Sequence, residues 1–376
     1  MSGIITALIF ILVLAVLIFV HELGHFLFAK ACRIRVDAFA IGFGPKLIAW
    51  GKNETKYSIN VIPFGGYVKI FGENPDDESL TGPESARSFV NKPRWQQALV
   101  LVAGVLFNFI FAWLLYVGIF TYGVTATTAG FEKYASDFSN PRIMVTDVVP
   151  NSPAEKAGIQ TGDVIKAVIP ATVGQPVTGM PPQSIESIQN TIAGAESSSL
   201  TFEYTRGSSQ PISVKLTPTT DLIPGKYAIG IEMDNVGELK LPFFTSVYEG
   251  GSFTLSMIKE TAVGLYTFIA SIFTGTANFS QVSGPVGIAG IVGSAAQLGF
   301  TYLLMITALI SINLGVVNLI PFPALDGGRV LFVIIESISR RRISPRFSNV
   351  VNAVGFALLM LLMVAVTYKD IAKLIH

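Results

Sequence analysis

Cysteine, histidine and charge are all scarce in this chain of 376 residues, and each shortage excludes something. The single cysteine, Cys32, rules out an internal disulfide, and its place behind an apolar run fits a small packed residue better than a reactive thiol. Charged residues make up 14% of the chain and the formal net charge is +1; no basic cluster is interleaved with aromatics, which excludes a nucleic-acid partner. The same scarcity, with 51% hydrophobic residues and a mean hydropathy of +0.56, excludes an ordinary soluble protein and points to an integral membrane protein. The first apolar run has neither a basic leading stretch nor a convincing small-residue cleavage site. It therefore reads as a retained spanning helix rather than a signal peptide.

Four segments are long and apolar enough to span a bilayer, at about 3–29, 97–122, 300–320 and 350–367. Residues 30–96 are rich in lysine and arginine, and Arg329, Arg340, Arg341, Arg342 and Arg346 follow the third span. By the positive-inside rule both regions face the cytoplasm, and the more acidic stretch 123–247 lies opposite. The stretch 252–275 is helix-periodic but interrupted by Lys259 and Glu260, which suits an amphipathic helix at the interface better than a fifth span. The organisation expected is a first span carrying a metal motif (1–29), a cytoplasmic membrane-associated β region (30–96), a second span (97–122), an extracytoplasmic α+β domain (123–220), a linker with an amphipathic helix (221–299), a third span with an Asp-Gly-Gly turn (300–347) and a fourth span (348–376). The fold class is thus a polytopic α-helical membrane protein with about four transmembrane helices, one β-element and one soluble domain.

His21, Glu22 and His25 close the first apolar run, where an ionisable side chain costs a few kcal/mol unless it is paired, ligating or facing a cavity. Residues four apart share one helix face, so His21 and His25 can offer imidazole nitrogens to one ion with Glu22 on its flank. The pattern is a metalloprotease signature, although the same residues also occur on solvated helices. The one other histidine, His376, is terminal, so a third ligand should be a carboxylate. Asp326 is the only acidic residue of the stretch 318–329 that closes the third span; two prolines and two glycines there oppose a regular helix, and the alternative is a turn with a solvated aspartate. Two histidines and a carboxylate suit zinc, and also iron or cobalt.

Within the polar domain, residues 149–165 run Val-Pro-Asn-Ser-Pro-Ala-Glu-Lys-Ala-Gly-Ile-Gln-Thr-Gly-Asp-Val-Ile, with Ser152, Pro153 and Glu155 as helix-start signals. This string resembles bacterial-type PDZ domains, which add an extended peptide or C-terminus as a strand; a domain that only packs on its own membrane part is the alternative. Tyr57 to Ile62 and Tyr67 to Ile70, joined through Pro63, Phe64, Gly65 and Gly66, read as a β-hairpin beside the basic loops. Its residues Gly65, Gly66, Tyr67 and Val68 are expected to pair with an unwound substrate segment, whose amides would otherwise go unsatisfied in lipid; a scaffold sheet without a ligand is the alternative.

Taken together, the His-Glu-Leu-Gly-His motif and the signature carried by Asn318, Pro321, Asp326 and Gly327 resemble the site-2 protease family, the RseP-type intramembrane zinc metalloproteases of peptidase family M50B. The runs Gly42-Phe43-Gly44-Pro45 and Ser283-Gly284-Pro285-Val286-Gly287, and Gly104 with Asn108, look like further landmarks of that family. The resemblance implies a zinc metalloendopeptidase of the bacterial inner membrane. It implies cleavage of the transmembrane segment of single-pass proteins, such as anti-sigma factors or remnant signal peptides, in regulated intramembrane proteolysis. In that scheme His21, His25 and Asp326 hold Zn2+, Glu22 is the general base, and Asn318 and Pro323 bind substrate, with Asn313 the alternative to Asn318 as a hydrogen-bond donor. Better-known enterobacterial members carry two tandem PDZ domains, whereas this chain has room for one. A silent membrane scaffold recruiting partners through the PDZ-like domain, or a metal transporter, is the competing reading; a transporter should space ionisable residues through several spans.

Overall fold

The computed structural model describes residues 3–51, 54–74, 76–128, 131–170, 184–207, 210–223, 225–277 and 282–375; His376 lies outside them. Two compact units are present, one made of Met1–Ile119 with Phe243–His376 and the other of Phe120–Pro242.

In the first unit, helix α1 (Gly3–Ala31) is apolar on all sides up to its last three turns. Strands β1 (Val36–Trp50) and β2 (Lys56–Ile70) follow it, and each is long enough to bend back on itself. Ala38 to Ile41 pair with Lys56 to Ile59 on one side and with Gly66 to Lys69 on the other, while Ile48 to Trp50 pair with Tyr57 to Ile59. The result is a four-segment antiparallel sheet in the order 66–70, 36–43, 56–62, 46–50. Hence the two strands expected to form a hairpin with each other do not pair; the segment from Val36 separates them. Its internal Gly42, Gly44 and Pro45 hide it in the sequence and make the bend. Gly42 and Gly44 have φ of +82° and +84°, which favours glycine. A side chain at Gly42 would also meet the Ile62 carbonyl oxygen at 2.5 Å. Leu47, Ile48, Trp50, Val61 and Ile62 leave much of this sheet exposed and apolar, as suits contact with lipid.

Helix α2 (Asp77–Thr81) and two short 3-10 turns lead to α3 (Arg94–Tyr122). A core of Ala29, Ile34, Val36, Phe39, Val68, Ile70, Phe89, Val100 and Leu101 joins the end of α1, the sheet and the start of α3.

The second unit holds β3 (Val124–Thr127), β4 (Phe138–Val148), α4 (Pro153–Lys156), β5 (Val164–Pro170), α5 (Ile185–Gly194), β6 (Leu200–Thr205), β7 (Ile212–Leu216), β8 (Thr219–Ile223), β9 (Lys226–Ala228) and β10 (Ile231–Leu239). Its six-stranded sheet has the order β3-β10-β4-β5-β6-β7 around a core that includes Val145, Ile165, Ile188, Leu200 and Phe202. The Ser152 hydroxyl accepts from the Glu155 amide at 3.2 Å and starts α4. Residues beyond 220, read as linker from the sequence, supply β10, a central strand of this sheet. Short polar strands such as β8 and β9 break the hydrophobic pattern before it, so the sequence carries no sign that the domain continues past residue 220.

In the first unit, α6 (Phe243–Thr274) is a single helix of 32 residues, so the amphipathic stretch 252–275 is only its later part. Its first half packs along α3: Trp113 donates to the Val247 carbonyl at 2.9 Å and Tyr116 meets Phe253 edge-on. That contact removes residues 243–253 from a free interfacial position. Then come α7 (Pro285–Leu298), α8 (Phe300–Asn318), α9 (Asp326–Ser339) and α10 (Pro345–Ile375). Of these helices, α1, α3, α8 and α10 are long and apolar enough to cross a membrane, the architecture of a polytopic membrane protein. Phe10, Val13 and Leu17 of α1 pack on Val292 of α7 and on Leu303, Ile306 and Ile310 of α8, and this core aligns the helices around the site.

Candidate metal centre

The helical repeat of α1 stacks His21 over His25, with Nε2 atoms 3.3 Å apart. The Oδ2 atom of Asp326 lies 3.1 Å from His21 Nε2 and 3.3 Å from His25 Nε2. Ligand atoms about 2.0–2.1 Å from a tetrahedral zinc ion stand roughly 3.3 Å from one another, so this triangle has the right edge length for one ion. Asp326 Oδ2 is also buried without a hydrogen-bond partner, a costly state for a carboxylate oxygen that a cation relieves. Among the described residues this is the one cluster of histidine, cysteine and carboxylate side chains able to hold a metal, and its donor set fits zinc.

The outward nitrogens fix the tautomers. His25 Nδ1 donates to the Val100 carbonyl at 2.8 Å, which leaves the Nε2 lone pair facing Asp326 and His21. His21 Nδ1 stands 3.1 Å from Asn108 Nδ2, while Asn108 Oδ1 is buried and unpartnered. A half-turn of that amide sets Oδ1 against an Nδ1–H, satisfies both groups and frees His21 Nε2 for a metal. The Asn108 backbone is itself held, its carbonyl accepting from Ser311 Oγ of α8 at 2.8 Å.

Two glycines make room for the imidazoles. A Cβ at Gly24 would lie 2.3 Å from the Ala103 carbonyl oxygen, and one at Gly104 would lie 2.3 Å from His25 Nε2. Only this bare crossing of α1 and α3 lets the histidines sit between the helices.

Asp326 arrives by a different route. The chain leaves α8 at Asn318, turns through Ala324 at φ +73°, and starts α9 with Asp326 as its first residue. A Cβ at Gly327 would lie 2.3 Å from the Ile320 carbonyl oxygen, and one at Gly328 would lie 2.2 Å from that of Phe322. The pair of glycines therefore lets α9 begin directly beneath the turn. Helix α10 supports the turn, with Asn352 accepting from the Ala324 amide at 3.2 Å and Gly355 leaving space for Pro323. Farther along α9, Arg329 pairs with Glu73 after β2, and Glu336 pairs with Arg94 of α3 at 2.5 Å.

Glu22 sits on the flank of the histidine face, with His25, His21, Asp326 and the backbone of Val68 as its electrostatic neighbours. The edge segment 66–70 can come this close because Gly66 has no side chain: a Cβ there would meet Ile18 at 2.9 Å and Glu22 Cγ at 3.4 Å.

The structure thus brings together His21, Glu22, His25 and Asp326, and lays Gly66 and Val68 beside Glu22. Gly65 lies instead under the Phe43 ring, and Tyr67 stacks on that ring with centroids 6.2 Å apart. Pro323 faces α10, and Asn318 is half-buried at the end of α8 with no side-chain hydrogen bond among the described residues. Gly104 and Asn108 stand out in the sequence without a role there, and Val100 and Asn352 do not stand out at all. A polar asparagine inside an apolar span was the available signal for Asn108; a backbone carbonyl such as that of Val100 gives none.

The model of peptidase family M50 matches residues 9–362. A putative zinc metalloprotease of Clostridium perfringens is 36% identical over 365 residues, covering 96% of this chain and 97% of that protein. Zinc metalloprotease RasP of Shouchella clausii is 30% identical over 444 residues, covering 98% of this chain and 99% of its own. A putative zinc metalloprotease of Clostridium acetobutylicum is 35% identical, with 96% of each chain covered. The chain belongs to peptidase family M50, as a membrane-embedded zinc metalloprotease of the site-2 protease kind.

Proposed function

We propose that this zinc metalloprotease cuts the transmembrane segments of single-pass membrane proteins, of the anti-sigma factor or remnant signal peptide type, in regulated intramembrane proteolysis. One observation carries the reading: the ligand triangle of His21, His25 and Asp326 lies at the end of a spanning helix, with a strand edge laid against Glu22. In this reading His21, His25 and Asp326 hold the ion. Zinc bound there would lower the pKa of a water to near neutrality and polarise a peptide carbonyl.

Glu22 takes the proton from the attacking water and delivers it to the departing amine nitrogen as the C–N bond breaks and the new C–O bond forms. Asn318 donates to the substrate backbone or to the developing oxyanion, and Pro323, packed against Gly355 of α10, acts on substrate through the turn it steadies. A helical substrate hides its amides in its own i to i−4 bonds, so it must unwind first; the edge segment from Gly66 to Ile70 offers strand pairing to the unwound stretch.

The placement proposed is the cytoplasmic membrane of a bacterial cell, with the metal near the cytoplasmic face and the domain around 123–220 outside the cytoplasm. The lysine and arginine bias of 30–96 and of the loop after the third span supports it. The soluble domain then acts as a filter on ectodomain size or takes a peptide end as an added strand.

The test is reconstitution in lipid with a model single-pass substrate, comparing the wild type with Glu22→Gln at matched zinc occupancy. Cleavage should fall by about 10²–10⁴; equal cleavage by both proteins would end the proposal.

A further inference from the structure

Helix α9 has two opposite faces. Val333 and Glu336, one turn apart, point inward to the shared core and to Arg94. Leu331, Ile334, Ile335 and Ile338 repeat at i, i+3, i+4 and i+7 on the other side and are exposed, Ile338 by 79%. At 14 residues the helix is about 21 Å long, too short to cross a hydrocarbon core of about 30 Å, so this stripe is not that of a span.

Immediately after it come Arg340, Arg341, Arg342 and Arg346, all exposed. None of the four pairs with a carboxylate among the described residues; the one side-chain contact is Arg342 donating to Asn91 Oδ1 at 3.3 Å. A positive flank alone orients a span, and an apolar stripe alone names no occupant. An apolar stripe running directly into unpaired cations, in a chain that lives in a bilayer, has the form of an interfacial helix on an anionic surface.

We infer that α9, the loop behind it and the first turn of α10 form a docking surface for anionic phospholipid: the stripe Leu331, Ile334, Ile335 and Ile338 lies among the upper acyl chains, and Arg340, Arg341, Arg342 and Arg346 hold phosphate headgroups. The guanidinium fork suits phosphate oxygens by charge and by bidentate geometry. The same helix carries Asp326 at its first position, so the headgroups grip the far end of a ligand-bearing element. This surface is independent of the cleavage proposed above, and its test needs no substrate.

Cys32 is the only cysteine, so Cys32→Ser with Ile338→Cys gives one labelling site for an environment-sensitive fluorophore on the full-length chain. The labelled protein is reconstituted in phosphatidylcholine vesicles containing, at equal fraction, either brominated phosphatidylcholine or brominated phosphatidylglycerol. The anionic quencher should act roughly threefold or more strongly than the neutral one, and added salt should shrink the difference. Changing all four arginines to glutamine should abolish it. Equal quenching by the two lipids, or a difference that survives the fourfold change, overturns the headgroup contact. A label quenched by aqueous iodide and by neither lipid overturns the surface altogether, and would leave the face to a protein partner.

Discussion

Two segments deliver the side chains of the candidate metal centre by opposite means. In α1 a regular helix suffices: spacing of four sets His21 over His25, and the neighbours at Gly24, Gly104, Val100 and Asn108 only make room and fix tautomers. Between α8 and α9 nothing regular operates. Asp326 is placed by a turn with a left-handed alanine, two glycines that no other residue could replace without moving backbone, and support from α10. Helix spacing alone pairs the first two candidate ligands, whereas the irregular turn makes the third candidate depend on three packed elements at once.

The largest effect should come from breaking the turn. Gly328→Ala or Gly327→Ala forces a Cβ into a carbonyl oxygen, so Asp326 should shift and cleavage should fall about a hundredfold or more, with zinc lost on metal analysis. Gly118→Ala in α3, where nothing lies within 4 Å of the added carbon, should change neither. Loss of zinc from the control, or none from the turn variants, would erase the contrast.

On the α1 side the expected effect is smaller. Asn108→Ala removes the partner of His21 and should weaken zinc affinity about 10–100-fold, with Asn108→Asp recovering much of it as an acceptor. An unchanged affinity in the alanine variant would mean that spacing alone orients His21. Smaller again, proline at Val68 or Lys69 should lower cleavage several-fold while zinc content stays whole, since it alters the strand edge and not the ligands. Normal turnover in both variants would leave that edge a scaffold.

The smallest effect concerns the charge cluster that holds the sheet to the end of α1. A hydrogen bond from Lys30 at 2.6 Å, helped by Arg87, holds the Glu54 carboxyl down at about 2, below its ordinary 4.5. A depressed carboxyl stabilises the fold above its unfolded pKa, so this contribution is complete above about pH 4.5 and is lost as the pH falls toward 2. Glu54→Gln should lower the melting temperature by roughly 1–3 °C at neutral pH, a gap that closes on acidification. A gap independent of pH would show that the side chain acts by packing.

Much of the fold was legible because a bilayer punishes exposed backbone, so long apolar runs announce themselves as helices. The four spans lie where hydropathy put them, and the start of α4 follows from Ser152, Pro153 and Glu155. The sheet was harder to read. Its strands bend at Gly42, Gly44 and Gly65, and pairing between distant segments leaves no periodic trace, so Val36 to Phe43 came between two strands expected to be partners. β10 escaped for a similar reason, as its partners β3 and β4 lie about a hundred residues earlier.

By itself, the sequence determined the chemistry on offer: two histidines and a glutamate on one helix, an aspartate in a broken stretch, and a membrane setting. Helix spacing and hydropathy are local, and local rules survive without a partner. Tertiary structure alone decided that Asp326 meets His21 and His25, that Asn108 and Val100 set their tautomers, and that a strand edge rests on Glu22. Each of those depends on close approach of elements far apart in the chain, made possible by glycines at the crossings, and close packing has no signature in the order of residues.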